Sequence, residues 1–301
     1  MLRLKKNYAS LNSRAGNLYE LSDSDIKRIH EVLLEIYDDL FSYCERHSLK
    51  LIAGGGTALG AIRHNGFIPW DDDMDLNLTR EDYQEFIKYF DKELGGKYDL
   101  LAPGYKKGAV CFLMRVLKKN TTLLNMIDEA SPYPSGIYID ITPIDYVSDS
   151  KAVRIIKGKT ADVLRFISYS VYWKQYTSKS FERFMTYSEG KTYYRFRLFT
   201  GTVFSFRTAE HWFKVFDKFI QGRESGYVTV AAGRKKYCGE IYSRDTFFPL
   251  RKAKFEERVI YVYNDMDTYL KGLYGDYMTI PDVKDREKHL CLCLDFEKGI
   301  K

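Results

Sequence analysis

The chain lacks most of what other readings would require. None of its 301 residues fall in an apolar run of 18, so no membrane-spanning helix is expected. The first residues, MLRLKKNYASLNSR, have no continuous apolar core, and a signal peptide is not expected either. Cysteine is sparse: Cys44, Cys111, Cys238, Cys291 and Cys293 are odd in number and show no Cys-x-x-Cys spacing. That excludes a disulfide framework and points to reduced thiols in the cytoplasm, with the inner face of the membrane as a second expected location. Cys291 and Cys293 are a pair, but structural zinc takes four ligands and no second pair is visible. Three catalytic signatures are also missing: the Gly-x-Ser-x-Gly elbow, the Walker loop and the His-Glu-x-x-His helix. There is no internal repeat, no low-complexity segment and no nucleic-acid-binding motif or dense basic run, so nucleic acid is not an expected partner.

What is present describes a globular protein. Hydrophobic residues at 45% and charged residues at 29% are enough for a large buried core under a polar surface. The net charge of +6 suits an anionic partner, such as a nucleotide, a phosphate-bearing polymer or an acidic lipid surface.

One stretch organises the rest, Leu51 to Leu78 (LIAGGGTALGAIRHNGFIPWDDDMDLNL). The run Leu51-Ile52-Ala53 reads as the end of a buried strand. Gly54, Gly55, Gly56 and Thr57 follow, then a short helical segment, Ala58 to Arg63. Backbone N–H groups of a glycine turn opening a helix can cradle phosphate, so Gly55, Gly56 and Thr57 are candidate phosphate contacts. The loop Asn65 to Trp70 leads to Asp71, Asp72, Asp73 and Asp75. If this is extended chain, Asp71, Asp73 and Asp75 share one face. Two carboxylates about 4 Å apart repel by about 4 kcal/mol at an effective dielectric near 20. A hard divalent cation relieves that repulsion, and carboxylate oxygen is what Mg²⁺ selects.

These residues resemble a known family. GGGTALGAIRHNGFIPWDDDMD is similar to the signature of the LicD family, within the nucleotidyltransferase fold superfamily and similar to the fukutin-related protein. The superfamily carries a Gly-Gly or Gly-Ser turn, a helix, and a strand with two carboxylates one residue apart. Gly55, Gly56, Asp73 and Asp75 fall on those positions. The resemblance implies an α/β fold: a mixed, twisted sheet with packed helices and a helical insertion. It implies transfer of a phospho-alcohol, phosphocholine above all, from a CDP-alcohol donor such as CDP-choline. The acceptor is a hydroxyl of a cell-surface glycan or its lipid-linked precursor, as in teichoic acid, lipopolysaccharide or capsule, and CMP is released. Mg²⁺, or Mn²⁺, would be held by Asp73 and Asp75. Asp140, between two isoleucines in Gly136-Ile-Tyr-Ile-Asp-Ile-Thr-Pro-Ile-Asp145, matches the family's third carboxylate, as a further metal ligand or as base. A buried carboxylate paired with an arginine such as Arg115 is the structural alternative for it. Arg63 and His64 are candidates for the donor diphosphate, and Asp145 for a supporting role.

The resemblance returns in Lys254-Phe255-Glu256, Tyr269-Leu270 and Tyr274-Gly-Asp-Tyr277, with His289 beyond. Between the two parts it fades. From Arg165 to Phe219 there are eighteen aromatic residues, and ten Lys or Arg against four Asp or Glu. Helical spacing recurs there (Phe181, Phe184, Met185; Trp212, Phe213, Phe216, Phe219). Two readings stay open: an aromatic core between helices, which needs Trp212 and Phe216 buried, or a basic aromatic surface for peripheral membrane or glycan contact. Three units follow, 1–148 with the motifs, 149–225 as the insertion, and 226–301 packing back on the core.

Elsewhere, a capping-box-like start at Ser22 and apolar spacing from Ile26 to Cys44 predict a helix to about His47, with His30 and His47 on its polar side. A second helix opens at Arg80, strands are expected at Tyr98–Ala102, Ala109–Lys118 and Val259–Val262, and a helix at Met266–Leu273. A choline group would need an aromatic cage, which twenty-five tyrosines allow without locating. Two other functions compete: transfer of NMP from an NTP with pyrophosphate release, and ligand binding by an inert scaffold.

Overall fold

A computed structural model describes residues 18–106, 109–186, 190–286 and 290–298. His289 lies outside the described residues. Helix α1 spans Asp23–Arg46, and Ser22 closes a reciprocal capping box with Asp25 at its start. Its stripe of Ile29, Leu33, Ile36 and Leu40 is wholly buried, each side chain stabilising the fold by roughly 1.5–3 kcal/mol. Two phenols on the same helix tie it across the core. Tyr37 donates to the Val259 carbonyl and Tyr43 to that of Phe86.

The main sheet is mixed. Its path runs β10 (Arg251–Phe255), β11 (Arg258–Val262), β2 (Ile52–Ala53), β3 (Asp75–Thr79), β7 (Tyr138–Val147), β5 (Met114–Lys118) and β4 (Tyr98–Leu101). Beyond β7, β8 (Tyr227–Thr229) and β9 (Ile241–Ser243) extend it. Strands β3 and β7 are parallel, and β2 is antiparallel to β3. Helix α2 (Gly55–Arg63) links β2 to the acidic loop, and α3 (Arg80–Glu93) leaves β3 with Thr79 as its cap. Strand β1 (Tyr19–Glu20), β12 (Leu290–Asp295) and β6 (Thr122–Asn125) form a second, small sheet, which the sequence did not suggest. The strand expected from Ala109 begins only at Met114; the residues before it are irregular and line a pocket instead.

The aromatic segment is helical: α4 (Lys151–Gln175), α5 (Lys179–Thr186), α6 (Lys191–Phe204) and α7 (Ala209–Ile220). Phe213 and Phe216 are buried with Phe112, Val171 and Tyr172, so a true aromatic core exists there. Trp212 is only partly buried, its indole N–H donating to the Phe204 carbonyl. Short helices α8 (Lys236–Gly239) and α9 (Arg244–Phe247) and helix α10 (Met266–Tyr274) complete the chain. Among the described residues no helix is long and apolar enough to cross a membrane.

Candidate active site

The glycine turn is built by close approach. The helix begins at Gly55 rather than at Ala58, so the glycines form its first turn. Gly55 has φ +43°, and a Cβ there would lie 2.6 Å from Asp75 Oδ2; one on Gly56 would lie 2.9 Å from Asp71 Oδ2. Only glycine lets these carboxylates rest against the backbone, and it also carries the left-handed φ without strain. Thr57 is turned the other way. Its hydroxyl accepts the Asp75 N–H at 2.8 Å, anchoring the strand that carries the carboxylate. The Gly55 N–H is also engaged, donating to the Tyr269 hydroxyl at 3.0 Å.

Three distant pieces of chain clamp this turn, helix and loop. Tyr269 holds the helix start. Arg63, at the helix end, donates to the carbonyls of Tyr277 at 2.7 Å and Thr279 at 3.4 Å. Glu256 accepts the Phe67 N–H at 3.0 Å and donates its own N–H to the Asn65 carbonyl, while Phe255 packs edge-on against Phe67. The Phe-Glu, Tyr-Leu and Tyr-Gly-Asp-Tyr elements of the C-terminal part thus act on the N-terminal motif. A fourth clamp differs from the sequence reading. His30 is not on a free polar face: its ring stacks on Phe67, centroids 3.9 Å apart, and Nε2 bonds the Asp71 carbonyl at 2.7 Å. Burial lowers its pKa, which keeps the imidazole neutral as a donor to that carbonyl.

Asp71, Asp73 and Asp75 line one cleft of about 580 Å³ with Gly54, Gly55, Gly56 and Arg63. Strand β3 starts only at Asp75, yet the alternation holds through the extended loop before it, with Asp72 turned toward the neighbouring pocket. Convergence of the three acids is felt at Tyr274 in the same cleft. Burial and then the negative field of Asp75, opposed by Arg234 and joined by Asp71 and Asp73, push that phenol's pKa well up. Thr57 and His64 do not line the cleft; His64 instead accepts from Arg63 Nε at 3.0 Å.

Asp140 stands opposite Asp75 in the parallel ladder, on strands about 4.8 Å apart. Both of its oxygens are taken by Arg115, Nε at 2.7 Å and Nη2 at 3.1 Å, so the structure adopts the arginine pairing. Arg115 in turn lies 3.7 Å over the Tyr138 ring. Asp140 lines a second pocket of about 470 Å³, which shares Asp73, Leu113, Arg165 and Ala232 with the first. As the side chains lie, no three His, Cys, Asp or Glu residues among those described are grouped to hold a metal ion. The donor set still fits a hard cation at Asp73 and Asp75: all-oxygen ligands in one cleft, with Gly55 leaving room for Asp75 to approach. Asp140 fits it less well, being committed to Arg115.

Asp145 is a different case. It is buried and forks onto Arg80, Oδ1 to Nε 2.8 Å and Oδ2 to Nη2 2.7 Å, while Arg80 Nη1 reaches Asp217 on α7 at 2.8 Å. Burial works against the Arg80 charge, but the two carboxylates outweigh it and hold the guanidinium protonated. This is a structural joint between the sheet and the insertion.

Sequence reasoning missed Glu240. It is buried, lines the first cleft, and its Oε1 accepts the Lys235 N–H at 2.6 Å. Burial first, with the charge of Asp75 adding to it, raises its pKa to about 7 against the Lys235 N–H bond. Only one local cue existed, a carboxylate beside an apolar alternation (Gly239-Glu240-Ile241-Tyr242). Nothing there tells that β9 brings it to the glycine turn.

A glycine turn opening a helix, followed by spaced carboxylates leading into the next strand of a mixed sheet, is the arrangement that the resemblance to the LicD family implied. Residues 48–126 match the profile of the family described as LicD/FKTN/FKRP, nucleotidyltransferase domain. Along most of its length the chain is similar to the lipopolysaccharide cholinephosphotransferase LicD of Haemophilus influenzae, 28% identical over 271 residues that cover 86% of this chain and 93% of that protein. Both findings support a LicD-family phosphotransferase, and so an enzyme. Shorter likenesses join it to two uncharacterized Rickettsia proteins. That of Rickettsia typhi is 34% identical over 97 residues (29% of this chain, 31% of that protein). That of Rickettsia prowazekii is 25% identical over 138 residues (44% and 50%).

Proposed function

We propose that this chain transfers phosphocholine from CDP-choline to a hydroxyl of a cell-surface glycan or its lipid-linked precursor, such as lipopolysaccharide, releasing CMP. The observation that carries the choline assignment is the second pocket. Tyr133, Tyr169 and Tyr172 line it together with Asp128, beside the Arg115 that already occupies Asp140 and the Tyr138 face, and it meets the glycine cleft at Asp73. A quaternary ammonium binds aromatic faces and negative charge, so this wall suits choline better than it suits the bare hydroxyls of ribitol or glycerol. The LicD relative, named as a cholinephosphotransferase, supports the same reading.

In this scheme the helix start at Gly55 and Gly56 faces the donor phosphates, and Arg63 is one of four arginines in the cleft wall, with Arg165, Arg234 and Arg286. Asp73 and Asp75 would hold Mg²⁺, or Mn²⁺, which when bound neutralises phosphate charge and orients the oxygens. The acceptor hydroxyl loses its proton to a carboxylate in the cleft. Glu240 suits that role by its pKa near 7, whereas Asp140 orients Arg115.

The test incubates the protein with CDP-choline, CDP-ribitol, CDP-glycerol and an NTP separately, each with Mg²⁺ and a lipopolysaccharide acceptor, and measures CMP and pyrophosphate. Acceptor-dependent CMP from CDP-choline is expected. Pyrophosphate from an NTP, with no CMP from any CDP-alcohol, would overturn the reading.

A further inference from the structure

Helix α6 presents two faces of opposite character. Tyr194, Arg197 and Gly201 turn inward: Gly201 abuts the Ser170 carbonyl so closely that a Cβ would sit 2.2 Å from it, and Arg197 donates to the Phe166 carbonyl at 2.8 Å. On the opposite face Phe196 is 56% exposed, Phe199 67% and Val203 52%, and Phe206 just past the helix end is 70% exposed. The spacing of three and then four residues sets Phe196, Phe199 and Val203 on one stripe of the helix.

Single exposed apolar residues need no explanation, but three exposed phenylalanines in eleven residues do. The charges beside them are of one sign. Lys191, Arg195 and Arg207 are exposed, and no acidic residue occurs from Lys191 to Arg207. By helical geometry Lys191 and Arg195 flank the aromatic stripe on one side. A second copy of the same face would meet it cation against cation, which disfavours pairing. Phenyl rings with flanking lysine and arginine fit the boundary of an anionic bilayer, where the rings enter the acyl region and the cations meet headgroup phosphates.

We propose that the outer face of α6, continued through Phe206, seats the protein on an anionic lipid surface. Helix α6 packs on α4, whose Arg165 lines both pockets and whose Tyr169 lines the second, so docking would hold the catalytic unit beside a lipid-anchored acceptor. Seating on a lipid surface does not depend on which phospho-group is transferred.

The experiment cosediments the full chain with vesicles of one part phosphatidylglycerol to three parts phosphatidylcholine, and with vesicles of phosphatidylcholine alone. Trp212, one of three tryptophans, has its ring 5.8 Å from that of Phe206, so part of the tryptophan emission should be quenched by brominated lipid. Binding to the anionic vesicles should be at least about tenfold stronger and fall with salt. Phe196→Ser with Phe199→Ser should reduce it at least about tenfold, and Arg195→Glu should reduce it roughly fivefold or more. CMP release with a water-soluble acceptor should persist in the double variant, which separates docking from catalysis and shows the fold intact. Equal binding to both vesicle types, no binding to either, or a double variant that binds like the wild type would overturn the proposal. So would concentration-dependent dimerisation through this face without lipid affinity.

Discussion

The motif region, residues 51–79, and the helical insertion, residues 151–220, use charge and aromatic rings in opposite ways. In the first, carboxylates point into one cleft while their backbone is held by a ring of polar clamps: Tyr269 on Gly55, Thr57 on Asp75, His30 on Asp71, Glu256 on Phe67. In the second, rings such as Phe213 and Phe216 are buried on one side of the helices, and Phe196, Phe199 and Phe206 are left outside on the other. The difference teaches that convergence has to be enforced by distant contacts, because like charges spread apart on their own. An aromatic surface needs no such enforcement, only a buried face opposite. The two regions meet at Arg80, which joins Asp145 of the sheet to Asp217 of the insertion.

Breaking that joint should have the largest effect. Replacing Arg80 by Met leaves Asp145 buried without its cation, so Arg80→Met should cost about 3–5 kcal/mol of stability. Urea unfolding is the measurement; a change below about 1 kcal/mol would mean that the two regions are held together elsewhere.

At the cleft the expected loss is catalytic rather than structural. Asp73→Asn or Asp75→Asn should lower turnover at least about 10²-fold, since a carboxylate lost from the charge-stabilising set removes several kcal/mol from the transition state. Thermal unfolding should be unchanged or slightly improved, because the convergent repulsion is relieved. Near-normal turnover in either variant would refute the assignment.

A pH profile sharpens the contrast further. Glu240 has a folded-state pKa raised to about 7 from an ordinary 4.5. The folded protein therefore binds more protons than the unfolded chain between those values, and stability falls as pH rises through that window. The loss attributable to this group is up to about 3 kcal/mol. Glu240→Gln should flatten the profile between pH 5 and 8 while lowering turnover; an unchanged slope would show that the carboxyl does not titrate there.

The smallest effect should come from the outer face of the insertion. Phe199→Ser should alter stability by no more than about 0.5 kcal/mol, as judged by the thermal midpoint. A larger loss would mean that α6 packs against something within the chain.

Local signals were legible where the physics is local. Ser22 and Asp25 closed the capping box expected of them, the heptad-like stripe of α1 is buried, and the glycine turn, the following helix and the odd-numbered carboxylates share a cleft. The strand expected from Ala109 failed for its first five residues because Val110, Phe112 and Leu113 turn to line the second pocket. Cys291 and Cys293, considered only as possible ligands, lie in strand β12 beside β6, a pairing set by residues some 170 positions apart.

By itself, then, the sequence determined the glycine turn, the acidic face and the helical nature of the insertion, because each follows from propensity and periodicity within about twenty residues, while the α/β class was legible through the family resemblance. Tertiary structure decided the rest. Asp140 became the partner of Arg115 because antiparallel pairing of β5 and β7 sets them opposite each other. Glu240 entered the cleft because β8 and β9 return the chain to β7 after the insertion. The motif was completed by Glu256, Tyr269 and Tyr277 from about two hundred residues away. Such contacts depend on which strands lie side by side, and strand order is a property of the whole chain that no local pattern encodes.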